Sequence, residues 1–172
     1  DRPLSRGLGD VYKRQYPTSE QMAEIAMSTA RVVRLFGFDP KVAFVSHSTF
    51  GQPLTNRTKH IKKAVDILKE KNVDFDFDGE MQPDVALNPI YQEIYPFSKI
   101  VGNANILIMP ALHSAAISTK LMKVFGGGKL IGPLLIGLGS PIEVAPLRAS
   151  TSEILNLASI AAYSSDVIDY SN

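Results

Sequence analysis

A chain of 172 residues with 45% hydrophobic content can bury the core of one domain and is too short for two comfortable ones. Lys and Arg number 18 against 17 Asp and Glu, and without Arg2, Arg6, Lys13, Arg14, Asp1 and Asp10 in the first fifteen residues the formal charge moves from +1 to −1, leaving no charge argument for a nucleic-acid partner. The absence of cysteine excludes disulfides, thiol nucleophiles and Cys-based metal sites, and no apolar run is long enough to span a bilayer, so a soluble cytoplasmic protein is expected.

Residues 1–15 (DRPLSRGLGDVYKRQ) show no apolar period, and DVYKRQ reads as a translated sequencing adaptor. They are expected to be a non-native scar, with residues 16–172 as the folded part. From Thr18 onward Met22, Ile25, Ala26, Thr29, Val32, Val33 and Phe36 recur at three- and four-residue steps, a helix that Gly37 stops. Residues 41–47 (KVAFVSH) form a β-branched and aromatic strand, and Ile61, Ala64, Val65 and Leu68 mark a helix over 56–71. Residues 73–77 alternate apolar and acidic side chains, as a strand with one wet face would. A short helix begins near Asp84 and is interrupted at Pro89. Residues 106–109 make a compact strand, 114–125 a helix closed by Gly126, Gly127 and Gly128, 130–137 and 142–144 two further strands, and 152–162 a last helix. Alternating strands and helices predict a three-layer α/β/α fold around a mainly parallel sheet, with residues 42–45 and 106–109 as inner strands.

Three stretches could carry chemistry. The turn Ser46-His47-Ser48-Thr49-Phe50-Gly51 follows a strand and precedes a helix, where hydroxyls and backbone N–H groups can hold a phosphate or simply cap the helix; Arg57 could reach the same opening or be a solvated surface group. Asp78, Glu80 and Asp84 follow a strand without a His or Cys at ligand spacing, so a turn at Gly79 and helix caps from Glu80 or Asp84 suit them better than a metal. His113 lacks an adjacent nucleophile or orienting carboxylate, which favours a helix-start histidine over a general base. Lys120 and Lys123 are either phosphate partners or surface lysines.

Across residues 20–162 these stretches resemble the phosphate acetyl/butyryltransferase family. Ser46, Ser48, Thr49 and Gly51 match SxSTxGS with Gln52 in place of the last serine, residues 78–87 match DGELQxDAAL, and residues 110–121 match PDLNTGNIxYKL, keeping Lys120 but with His113 and Ala116 replacing two asparagines. Residues 132–156 (GPLLIGLGSPIEVAPLRASTSEILN) resemble PVLQGLxKPVNDLSRGxSxEDIVN, and in that register Pro146 stands at the family's serine and Leu147 at its arginine. Arg148 falls beside that arginine if one residue is skipped, and Glu153 takes the place of an aspartate. The phrases LHS and APL resemble the C-terminal domain of large NADP-dependent malic enzymes more than the free-standing acyltransferases.

The resemblance implies the second lobe of an isocitrate/isopropylmalate dehydrogenase-like domain, with no catalytic residue of its own because the serine and arginine are replaced. It implies acetyl-CoA as ligand, held by Ser46, Ser48, Thr49, Gly51, Lys120 and Arg148, and no metal in this part. NADP and a divalent metal would belong to the malate-oxidising N-terminal domains. A regulatory and oligomer-forming role follows, with partners limited to an acyl-CoA, further copies and those domains, and neither nucleic acid nor membrane. An active phosphate acetyltransferase is the competing reading.

Overall fold

The computed structural model describes residues 16–126, 131–136, 138 and 140–167; the expected scar at 1–15 lies outside them. The chain divides into two compact units, Asp1–Lys120 and Leu121–Asn172. The first is built on a three-stranded parallel sheet of order β2-β1-β3, from β1 (Lys41–Val45), β2 (Asp76–Met81) and β3 (Ile106–Ile108).

Alternation along β1 divides the core. Val42 and Phe44 face α1 (Ser19–Leu35) and α2 (Asn56–Glu70), where Met22, Ala26, Ile61, Val65 and Leu68 pack with Phe77, Ile106 and Ile108. Ala43 and Val45 face the opposite side, covered by Val85 and Ala86 of the short helix α3 (Pro83–Leu87) and by Ile100 and Ala104. A strand buried on both faces must be apolar throughout, which is why β1 reads as an unbroken run. Capping boxes at Thr18 with Gln21 and at Thr55 with Thr58 start α1 and α2. Lys63 Nζ donates to Glu20 Oε1 at 2.9 Å and ties α2 to the first turn of α1.

Four expectations need correction. The second strand runs over Asp76–Met81, not 73–77, because its ladder with β1 begins at the Lys41–Asp76 pair. Asp74 and Asp76 are exposed, as a wet face requires, whereas Asp78 and Glu80, expected after the strand as turn and cap residues, lie within it at 8% and 2% exposure because backbone and hydroxyl donors satisfy both. Ile106–Ile108 pairs only with β1 among the described residues, so it ends the described sheet. The described residues of 130–137 and 142–144 form no strand; an extended run becomes one only beside a ladder partner, and no described residue supplies it.

After α3, Pro89 opens a second short helix, α4 (Pro89–Gln92), with Asn88 Oδ1 accepting from Ile90 N–H at 3.1 Å. Helix α5 (Leu112–Phe125) has no buried residue. The second unit contributes α6 (Thr151–Val167), on which Leu157 is buried.

Candidate functional site

Two neighbouring chain ends build the turn after β1. In the β1–β2 ladder Phe44 pairs with Gly79 and Val45 with Met81, so Glu80 is an extra residue that the register skips. The bulge needs glycine at 79: its φ is +147°, and a Cβ there would sit 2.7 Å from the Phe44 carbonyl oxygen and 2.8 Å from the Phe44 Cβ. Glu80 is thereby aimed under the turn. Its Oε1 accepts from Gly51 N–H at 2.6 Å and from the Ser48 hydroxyl at 3.2 Å. The backbone follows, with Ser46 N–H donating to Met81 O and Phe50 N–H to Glu80 O. Gln82 completes the seam through its N–H to Thr49 Oγ1 and its Nε2 to His47 O.

The chemistry of the turn follows from this seam. Ser48 is fully buried and Gly51 half-buried, and the donors expected to meet a phosphate already meet a carboxylate of the chain itself. Ser46, half-buried, and His47, exposed, remain at the opening with Oγ and Nδ1 3.4 Å apart.

Beside the turn lies a cleft of about 530 Å³. Phe50, held at φ +49°, forms one wall with Tyr95 and Phe97, its ring centroid 5.4 Å from the first and 4.8 Å from the second. A bulky side chain in the left-handed region costs on the order of 1–3 kcal/mol and persists only where its surroundings hold it. Here the bond to Glu80 O and the two ring contacts do so. Thr49, Gln52, Gln82 and Asp84 supply the polar lining.

The remaining candidates are spread out. Arg57 is exposed on α2, and His113 and Lys120 are exposed on α5. Arg148 belongs to the second unit and is exposed there. In that unit Pro146 borders a recess of about 20 Å³ together with Glu153 and Asn156, while the Leu147 side chain is wholly in solvent. Glu153 is occupied as a cap. Its Oε2 accepts from Ser150 N–H at 2.7 Å and from the Ser150 hydroxyl at 2.9 Å, and Ser150 Oγ accepts from Glu153 N–H at 3.3 Å. The Ser150 backbone bond, then the hydroxyl bond, hold its carboxyl below the usual range.

Sequence reasoning missed two features. It read Glu80 as a helix cap, whereas the carboxylate organises the β1 turn; the only hint was an acid directly after a glycine in a strand-like run. It assigned nothing to Phe50, Tyr95 and Phe97, whose meeting depends on segments 45 residues apart in the chain, from 50 to 95.

Comparison with known proteins agrees with this architecture. The sequence profile of the phosphate acetyl/butaryl transferase family matches residues 5–162. An NADP-dependent malic enzyme of Rhizobium meliloti is 46% identical over 156 residues, covering 91% of this chain and 20% of that protein. A phosphate acetyltransferase of Bacillus subtilis is 35% identical over 147 residues, covering 85% and 46%. The crystal structure of a phosphotransacetylase from Streptococcus pyogenes superposes with a TM-score of 0.84 at 34% identity, covering 91% of this chain and 48% of the other. The chain thus spans about a fifth of the malic enzymes and under half of the acetyltransferases it matches.

Proposed function

Because this chain belongs to the phosphate acetyl/butaryl transferase family, we propose that it is an acetyl-CoA-binding regulatory and oligomer-forming lobe of an NADP-dependent malic enzyme, without acyl transfer of its own. The observation that carries the proposal is the ordering of residues 146–153. Proline presents no hydroxyl to a thiol or acyl group, Leu147 presents no charge, and the one acid at the recess is held by Ser150. Acyl transfer needs groups that handle the thiol and stabilise the developing oxyanion, and residues that act as a unit do not contribute one at a time.

The residues assigned to the ligand are Ser46, Thr49, Lys120 and Arg148, with Ser48 and Gly51 shaping the turn through Glu80. NADP and a divalent metal belong to the malate-oxidising part outside this chain. Binding here changes malate turnover by favouring one arrangement of the oligomer, which requires different affinities for the two states. The exposed apolar side chains Leu121, Met122, Val124 and Phe125 of α5 support an oligomer-forming role.

Malate turnover of the intact enzyme, titrated with acetyl-CoA, tests the reading. Acetyl-CoA is expected to change the rate, and Arg148→Ala to weaken its effect roughly tenfold, the value of one charge-assisted bond to phosphate. Acetyl phosphate formation from acetyl-CoA and phosphate is expected to be absent, and Pro146→Ser alone should not create it. Sustained acetyl phosphate formation would instead assign an active phosphate acetyltransferase.

A further inference from the structure

The three rings beside the β1 turn are set at angles to one another rather than stacked. Phe50 and Tyr95 are tilted by 54°, Phe50 and Phe97 by 67°, and Tyr95 and Phe97 by 80°, with centroids between 4.8 and 6.1 Å apart. Rings that meet in this way turn their faces in different directions, and all three line the cleft of about 530 Å³ together with Tyr91. Phe97 is 64% exposed and Tyr91 42%, so packing within the chain leaves ring surface open. An aromatic face carries the negative part of the ring quadrupole and attracts a cation within about 6 Å of the centroid. The rest of the lining has the same sign. Asp84 is an exposed carboxylate, the Glu80 carboxylate lies behind the turn, and there is no Lys or Arg among the described lining residues. The space therefore favours a cation and repels a phosphate or carboxylate.

The kind of cation follows from what these walls cannot do. A primary ammonium or guanidinium group needs an acceptor for each N–H that leaves water, and ring faces accept only weakly. Asp84 Oδ1 already accepts from Val85 N–H at 3.0 Å. A quaternary ammonium has no N–H to satisfy, and its charge is spread over a rounded surface that can touch several differently oriented rings at once. The cleft volume lies in the range of small-molecule sites, roughly 300–1,000 Å³, which leaves room for a short substituent on such an ion. We infer that this cleft binds a small quaternary ammonium ion, with its methyl groups against Phe97, Tyr91 and Tyr95 and its charge facing Asp84. This site goes beyond the acyl-CoA reading and does not depend on it, because a ligand bearing several phosphates and a cation require linings of opposite sign.

Calorimetry on the full 172-residue chain with choline, its neutral carbon isostere dimethylbutanol and methylguanidine tests the assignment. Choline should bind saturably in the millimolar range and the isostere should not, since the two differ in charge and hardly in shape. Phe97→Ala should weaken choline roughly fivefold, as the loss of one cation–π contact implies. Asp84→Asn should weaken it by about as much, the value of one opposite charge at contact distance in water. Both side chains are exposed, and circular dichroism verifies that each variant keeps its fold. Independently of any variant, choline and not the isostere should shift the ring-proton resonances of Tyr91 and Tyr95 in the unaltered chain. Absence of saturable choline binding, equal binding of the isostere, or tighter binding of methylguanidine would overturn the site, as would a choline affinity that both variants leave unchanged.

Discussion

Glu80 shows how much one buried side chain can organise. Its carboxylate accepts the Gly51 N–H and the Ser48 hydroxyl; Ser48 is fully buried and has no water to fall back on if the acceptor is removed, while Gly51 is half-buried. Glu80→Ala should therefore cost about 2 kcal/mol, chiefly from the hydroxyl left buried without a partner, and lower the melting temperature by roughly 6 °C for a chain of this size. Glu80→Gln keeps an amide oxygen for the Gly51 N–H and should cost less than half as much. Thermal unfolding of both variants checks this, and equal losses would mean that the hydrogen-bond geometry is unimportant. A second residue-scale effect depends on pH. The Lys63 hydrogen bond holds the Glu20 carboxyl at about 2, below its ordinary 4.5, and Asp74 is lowered in the same direction by its bond to Arg34. A carboxyl lowered by folding adds stability that is fully present above its unfolded value and is lost as pH falls through the folded one. For Glu20 the loss falls between pH 4.5 and about 2. Urea midpoints measured across that window should fall less steeply in Glu20→Gln than in the wild type, and parallel curves would contradict the assignment.

At the scale of elements, β2 carries the consequences of its bulge. Gly79 is packed so tightly against Phe44 that Gly79→Ala requires the β1–β2 pair to separate, and the positive φ adds strain. Overpacking and backbone strain each cost about 1–3 kcal/mol, so a loss near 3 kcal/mol or more is expected. Gly37 is the control. It too has a positive φ, of +80°, but nothing lies within 4 Å of its added Cβ, so Gly37→Ala should cost only about 1–2 kcal/mol. Chemical denaturation of the two variants separates close packing from backbone conformation, and a Gly37 loss as large as that at Gly79 would reverse the reasoning. Helix α6 starts on the reciprocal Ser150–Glu153 cap, so the acid at the family's aspartate position has a structural task irrespective of any chemistry.

For the whole molecule, the end of α5 carries a run of exposed apolar side chains, with Val124 73% exposed and Phe125 80%, whereas the sheet of the first unit is buried on both faces. Self-association that rises with protein concentration is expected, and Phe125→Lys should shift it to higher concentration; sedimentation velocity across a dilution series measures both. A concentration-independent monomer would remove the oligomer-forming part of the proposed role. Among the described residues no helix is long and apolar enough to cross a membrane.

The sequence by itself determined the parts of this protein that depend on near neighbours in the chain. The apolar steps of α1 and α2 and the unbroken run of β1 were legible because a helix face repeats every three to four residues and a strand buried on both sides must be apolar throughout. The replacements at Pro146 and Leu147 were likewise visible as residue identities. Tertiary structure alone decided what crosses the chain. Asp78 and Glu80 read as turn and cap residues after a strand until pairing with β1 draws them into it and donors from residues 99, 48 and 51 bury them, and Phe50 meets Tyr95 and Phe97 only because the β1 turn and the segment after α4 converge on one end of the sheet. Periodicity records which face of an element is apolar, but a buried carboxylate is stable only where distant donors reach it, and that pairing has no period in the sequence.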